Sequence, residues 1–150
     1  MRAVVQRVLS ASVSVDGAVV GAIERGFLVL AAAHRDDTEK EAAKLADRVV
    51  GMRIFNDESG KMNLSLNDVG GAILAVSNFT LYGDAMKQRR PSFIAAAPFD
   101  RGKELFDAFT AGLRALGCHV EEGVFGADMK VAVLNDGPVT LILEVSPSEP

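Results

Sequence analysis

Ser77 and Thr80 bracket Asn78-Phe79 at the point where an apolar run, Ala72 to Ser77, gives out. A strand end is where a sheet presents hydroxyls and free backbone N–H groups to a ligand. A second cluster, Asn135-Asp136-Gly137-Pro138-Val139-Thr140, stands between two further apolar runs. Glycine before proline allows a sharp backbone excursion and is a candidate for a cis peptide. Each pattern taken alone also has an ordinary explanation: Ser-x-x-Thr as turn chemistry, Asp-Gly-Pro as a hairpin loop.

Other chemistries find less support. A Ser-His-Asp hydrolase needs an imidazole beside its nucleophile, and His34 and His119 are the only two histidines. Neither lies in a nucleophile motif, and there is no Gly-x-Ser-x-Gly elbow. Two isolated histidines and Cys118 lack ligand spacing for a metal, and the pairs Asp57-Glu58 and Glu121-Glu122 read as solvated loop charges. Gly70-Gly71 lacks the Lys-Ser/Thr of a phosphate loop. What remains is chemistry by positioning: backbone N–H donors, a hydroxyl, and a rigid turn that shapes a pocket.

The elements that would hold these groups alternate strands with two helices. Ala11, Val13 and Val15 alternate with serines, and Asp16-Gly17 supplies a two-residue turn into Ala18 to Ile23, an opening hairpin. Phe27 to Ala33 is a buried strand. Thr38-Glu39-Lys40-Glu41 is a capping box that opens a helix whose buried stripe is Ala42, Leu45, Ala46 and Val49. A turn over 56–61 follows Arg53-Ile54-Phe55, and Gly70-Gly71 precedes the strand ending at Ser77. A second helix is capped by Asp100, carries Leu105, Phe106, Phe109 and Leu113 on one face, and closes at Gly117. Met129, Val131 and Val133 then alternate with Lys130 and Ala132, and after a Gly-Pro turn Val139 to Val145 completes a strand pair. The pattern predicts an α/β fold: one domain over 1–150, a mainly antiparallel sheet or open β-barrel with two helices packed on it, and a frayed tail at 146–150.

At 150 residues the chain can bury about 70% of its unfolded surface without a metal or disulfide staple. The single cysteine, Cys118, cannot form an internal disulfide and reads as a buried thiol, which suits a reducing cytoplasm. The N-terminus lacks a signal-like apolar region, and no run reaches a membrane span of about 18 to 20 residues. A net charge of −4 leaves no global basic footprint, so any RNA contact must be local. Lys87, Arg89 and Arg90 form the one compact basic cluster, just past the Ser77–Thr80 motif.

Five ordered segments resemble the D-aminoacyl-tRNA deacylase family: 1–8, 53–63, Ser77-Asn78-Phe79-Thr80-Leu81-Tyr82-Gly83-Asp84, Arg90-Pro91-Ser92-Phe93, and Asn135-Asp136-Gly137-Pro138-Val139-Thr140. They span nearly the whole chain. One position departs: the family has Ser-Gln-Phe-Thr where this chain has Asn78, an amide one methylene shorter.

The resemblance implies a cytoplasmic homodimer that hydrolyses the ester joining a D-amino acid, or glycine, to the terminal adenosine of tRNA, without a cofactor or metal and with no DNA partner. It implies that Gly137-Pro138 is cis and enters the other subunit's pocket as a wall that clashes with an L side chain. The backbone N–H groups of Phe79 and Thr80 would stabilise the oxyanion, with Ser77 and Thr80 holding the strand end and the amino group. Nothing in the sequence supplies a base for Thr80, so water activated by the substrate's own 2′-hydroxyl is the expected attacker. Phe125 and Met129 are candidate adenosine contacts, with a core role as the alternative. Lys87, Arg89 and Arg90 are candidate contacts to tRNA phosphates, with a solvated loop as the alternative. Two other functions stay open: a paralogous L-alanyl-tRNA editing deacylase whose Gly-Pro is trans, and a dimeric nucleic-acid-binding module without catalysis.

Overall fold

Asp16 and Gly17 adopt φ of 50° and 81°, the left-handed pair that a tight two-residue hairpin demands. They join β1 (Arg2–Val15) to β2 (Ala18–Ile23). A computed structural model describes residues 1–147 of the chain; the part of the expected tail at 148–150 lies outside the described residues. After β3 (Gly26–Ala32) comes α1 (Glu39–Gly51), opened by the expected capping box: Thr38 accepts from Lys40 N–H, and Glu41 accepts from Thr38 N–H. Its buried residues include the expected stripe Ala42, Leu45, Ala46 and Val49. A small ribbon of β4 (Phe55–Asn56) and β5 (Met62–Leu64) leads to β6 (Ala72–Ser77), a 3-10 turn (Phe79–Tyr82), α2 (Phe99–Ala115), β7 (His119–Glu122) and β8 (Lys130–Glu144). The helix α2 starts one residue before Asp100, with Pro98 at its cap position; Asp100 sits in the first turn, where its charge suits the helix dipole.

The sheet is mostly antiparallel, as expected, with a parallel part that the sequence pattern did not reveal. The path runs β2-β1-β3-β6-β7, with β8 against the other edge of β1. The hairpin strands and β8 are antiparallel, but β3, β6 and β7 run parallel, joined by crossovers that carry α1 and α2. Gly21 shows how nearly the sheet closes: a Cβ there would meet the Glu122 carbonyl oxygen at 2.7 Å, so β2 must lie against β7. The two C-terminal runs do not form a hairpin with each other. They are one 15-residue strand, both of whose halves pair with β1, and residues 136–139 leave the ladder between Gln6↔Thr140 and Val8↔Asn135.

Both faces of β3 and β6 are buried, which is why they read as unbroken apolar runs. Phe27, Val29, Ile73 and Ala75 face the helices, among Leu45, Val49, Leu105 and Phe109. Leu28, Leu74 and Val76 face the opposite way, with Val8, Ala11, Val13 and Ile23. Where β3 ends, Asp37 fixes the turn into α1: its Oδ2 accepts from His34 N–H at 2.6 Å and pairs with the buried Met1 ammonium at 2.6 Å.

Candidate active site

The strand β6 stops at Ser77, but Asn78 N–H still donates to Ala31 O at 2.9 Å, so the chain stays tied to β3 for one more residue. It then coils into the 3-10 turn. Phe79 and Thr80 are the first residues of that turn, and the leading N–H groups of a helical turn have no acceptor within it. The turn is braced from behind by Gly83, whose missing Cβ would lie 2.8 Å from the Phe93 ring. Phe93 in turn meets Phe79 edge-on at 5.2 Å.

Beside this turn lies a cavity of about 820 Å³. Ser77, Asn78, Phe79 and Thr80 line one part of it, Gln6, Leu28, Leu30 and Val76 another, and Phe99, Phe106, Phe125 and Met129 a third. The structure thus brings the Ser77–Thr80 motif and the Phe125–Met129 pair to one cavity. The core alternative for that pair also holds: Phe125 meets Phe99 edge-on at 5.1 Å and packs on the helix-side core, and Met129 packs on the opposite one. Asp128 is the one ionisable side chain in the lining, and it is engaged by Lys130 Nζ at 2.8 Å. The Thr80 hydroxyl donates to the Asn78 side-chain oxygen.

Gly137-Pro138 is cis, exposed, and absent from the lining of this cavity. The excursion that carries it is held from within by Asn135, whose side chain donates to Val139 O at 3.1 Å and accepts from Val139 N–H at 2.8 Å. Arg7 holds it from below. Nε donates to Asp136 O at 3.1 Å, and the same guanidinium donates to Ile54 O at 2.7 Å from the segment before β4. Sequence reasoning missed Arg7; the signal was a charged residue at a position of β1 that shares its buried side with Ala3 and Val5.

Lys87, Arg89 and Arg90 occupy the exposed loop that Asp84 and Ser92 close by exchanging backbone hydrogen bonds. Lys87 lines a second pocket of about 380 Å³, whereas Arg89 and Arg90 line neither cavity. Tyr82, which lines the second pocket, is buried under the Arg2 guanidinium, 4.6 Å from the ring centroid, and burial pushes its phenol well above the ordinary range. Burial likewise pushes the Cys118 thiol up, so it is an inert core group, as expected. Among the described residues no cluster of His, Cys, Asp or Glu could hold a metal ion, and no helix is long and apolar enough to cross a membrane.

The D-Tyr-tRNA(Tyr) deacylase family matches residues 4–144. Relatives named D-aminoacyl-tRNA deacylase include one from Thermus aquaticus, 58% identical over 97% of this chain and 96% of its own, and one from Koribacter versatilis, 59% identical over 96% and 97%. Among solved structures, a c-Myc DNA unwinding element binding protein superposes with a TM-score of 0.92 at 40% identity, covering 97% of this chain and 99% of its own. A probable eukaryotic D-amino acid tRNA deacylase shares the fold, with a TM-score of 0.82 at 22% identity over 96% and 98%.

Proposed function

This chain belongs to the D-Tyr-tRNA(Tyr) deacylase family and hydrolyses the ester of D-aminoacyl-tRNA, and on that premise we propose how its cavity does so and which esters it spares. The observation that carries the mechanism is the pairing of two open backbone N–H groups at Phe79 and Thr80 with a lining that offers no free base. The ester carbonyl sits over the 3-10 turn, where those N–H groups receive the developing oxyanion. Water adds to the carbonyl carbon while the vicinal 2′-hydroxyl of the terminal ribose relays the proton: it accepts one from the water as it hands its own to the 3′-oxygen, so the bond to that oxygen breaks and it leaves as a hydroxyl. Thr80 is then no nucleophile, because a hydroxyl bonded to an amide has no partner to take its proton. Ser77 and Thr80 hold the strand end and the substrate's amino group, and Phe125 and Met129 flank the adenine.

Discrimination against L-aminoacyl esters falls to Gly137-Pro138 of a second copy of the chain. Within one copy the pair lines no part of the Thr80 cavity, yet its excursion is braced by Asn135 and Arg7. A rigid wall delivered in trans rejects an L side chain by clash, while glycine and D side chains pass. Lys87, Arg89 and Arg90 lie beside the acceptor stem and meet its phosphates. The homodimer works on tRNA, without DNA, in the cytoplasm where tRNA is charged.

The test is ester release from matched D-tyrosyl, L-tyrosyl, glycyl and L-alanyl tRNA. Fast release of the D and glycyl esters with both L forms spared is expected. Release of L-alanine would replace chiral proofreading with the editing of small L residues, and binding of tRNA without release of any ester would leave only a nucleic-acid-binding module.

A further inference from the structure

The second pocket is built by three segments that meet beyond Thr80: Arg35 after β3, Tyr82 at the end of the 3-10 turn with Asp84 just past it, and Ser92 to Ala95 in the returning loop. Arg35 N–H donates to Ala95 O at 2.9 Å, and Asp84 and Ser92 exchange backbone bonds at 2.8 and 2.9 Å, so the rim is stitched on both sides. Its chemistry is mixed in a particular way. Two cations, Arg35 and Lys87, stand exposed with no ion pair to any described residue. One carboxylate, Asp84, lines the same space and spends Oδ1 on Met86 N–H at 3.0 Å. Ile94, 75% exposed, offers an apolar edge, and Gln88 and Ser92 offer neutral polar groups.

Cations with an acceptor and an apolar edge suit a nucleotide rather than a bare anion, since a phosphate alone would gain nothing from a carboxylate in its site. The carboxylate selects the base: it accepts from the exocyclic amine of cytosine and finds only a carbonyl at the same place on uracil. Position selects the source. Thr80 and Tyr82 belong to one four-residue turn, with Thr80 lining the large cavity and Tyr82 lining this one. An RNA strand whose terminal adenosine fills the large cavity therefore leaves its ribose beside this pocket, and every mature tRNA carries cytidine next to that adenosine. We propose that the pocket binds this penultimate cytidine, with its phosphate between Arg35 and Lys87 and its amine on Asp84. The identity of the strand rests on the deacylase reading above; the preference for cytidine does not.

The experiment is titration of the trinucleotides CpCpA and CpUpA against the wild-type chain, Arg35→Gln and Asp84→Asn, across a salt series. The wild type is expected to prefer CpCpA by about tenfold, the scale of one base-edge contact. Arg35→Gln should weaken both trinucleotides and reduce the slope of log affinity against log salt by about 0.7, the share of one phosphate contact on a single strand. Asp84→Asn should bring the two trinucleotides close to parity, because its amide can donate to uracil O4 as well as accept. Should Asp84→Asn misfold, the wild-type preference and the Arg35→Gln salt slope still decide. Equal wild-type affinities, no binding of either trinucleotide, or an Arg35→Gln slope unchanged from wild type would overturn the proposal. Release of D-tyrosine from tRNA, measured on the same preparation, reports separately: a chain that prefers CpCpA but releases nothing keeps the pocket and loses the deacylase mechanism.

Discussion

Thr80 invites assignment as a nucleophile, yet its hydroxyl is already engaged by the Asn78 side chain, and an amide cannot accept a proton at neutral pH. Thr80→Val should therefore keep kcat on D-tyrosyl-tRNA within about tenfold, the cost of losing one or two ordinary hydrogen bonds. A loss of several orders of magnitude in a folded variant would make the hydroxyl the attacking group. Arg7 supports the opposite expectation. It is buried and forked between Asp136 O and Ile54 O, so Arg7→Lys keeps the charge but cannot span both acceptors. Selectivity for D-tyrosyl over L-tyrosyl tRNA should fall at least about tenfold, a 1.4 kcal/mol loosening of the Gly137-Pro138 wall, while circular dichroism stays native. Ser77 and Thr80 were legible as site candidates because they are neighbours in sequence. Arg7 was not, because its acceptors lie 47 and 129 positions away and nothing near it announces them.

The elements were legible where local chemistry decides them. The Asp16-Gly17 turn, the capping box and the stripe of α1 are each set by residues no more than four positions from the next. Glu41 gives that box a pH signature. The Thr38 hydroxyl and N–H each donate to Glu41 Oε2 at 2.7 Å, and the hydroxyl bond leads in holding the carboxyl below its usual range. A lowered folded value contributes stability above the ordinary glutamate range and loses it as pH falls through that range toward the lowered value. Glu41→Gln should accordingly cost about 1 kcal/mol at pH 7 in urea unfolding, the scale of a helix cap, and the gap to wild type should narrow below about pH 4. A gap constant with pH would remove the carboxylate from the account. The two halves of β8 were misread as a hairpin because Gly137-Pro138 carries the punctuation of one. The 14-residue β1 is long enough to pair with both halves, and that long-range ladder wins. The parallel β3-β6-β7 order was hidden for a related reason: strands buried on both faces carry no alternation to reveal their partners.

At the scale of the whole molecule the apolar surface asks for a second copy. Ile142 is 73% exposed and Leu134 55% exposed, both on β8, and Val19 on β2 is 62% exposed. A stable monomer seldom leaves so many large apolar side chains in water, and this strand also carries the Gly137-Pro138 excursion, which lines no part of its own chain's Thr80 cavity. Composition could not have shown this, since a hydrophobic fraction of 49% says how much apolar surface exists and not which part the fold leaves uncovered. If β8 is where two copies meet, Ile142→Lys places a charge in the contact without touching Thr80, Phe79 or Gly137-Pro138. Wild type should sediment at twice 15.9 kDa, and the variant should shift toward the single-chain mass. Activity separates two meanings of that shift. If the wall is supplied in trans, a monomeric variant that still hydrolyses its ester should lose the distinction between D-tyrosyl and L-tyrosyl tRNA, whereas added protein concentration should restore it. A monomer that keeps full D selectivity at every concentration would return the wall to its own chain and end the case for a shared site.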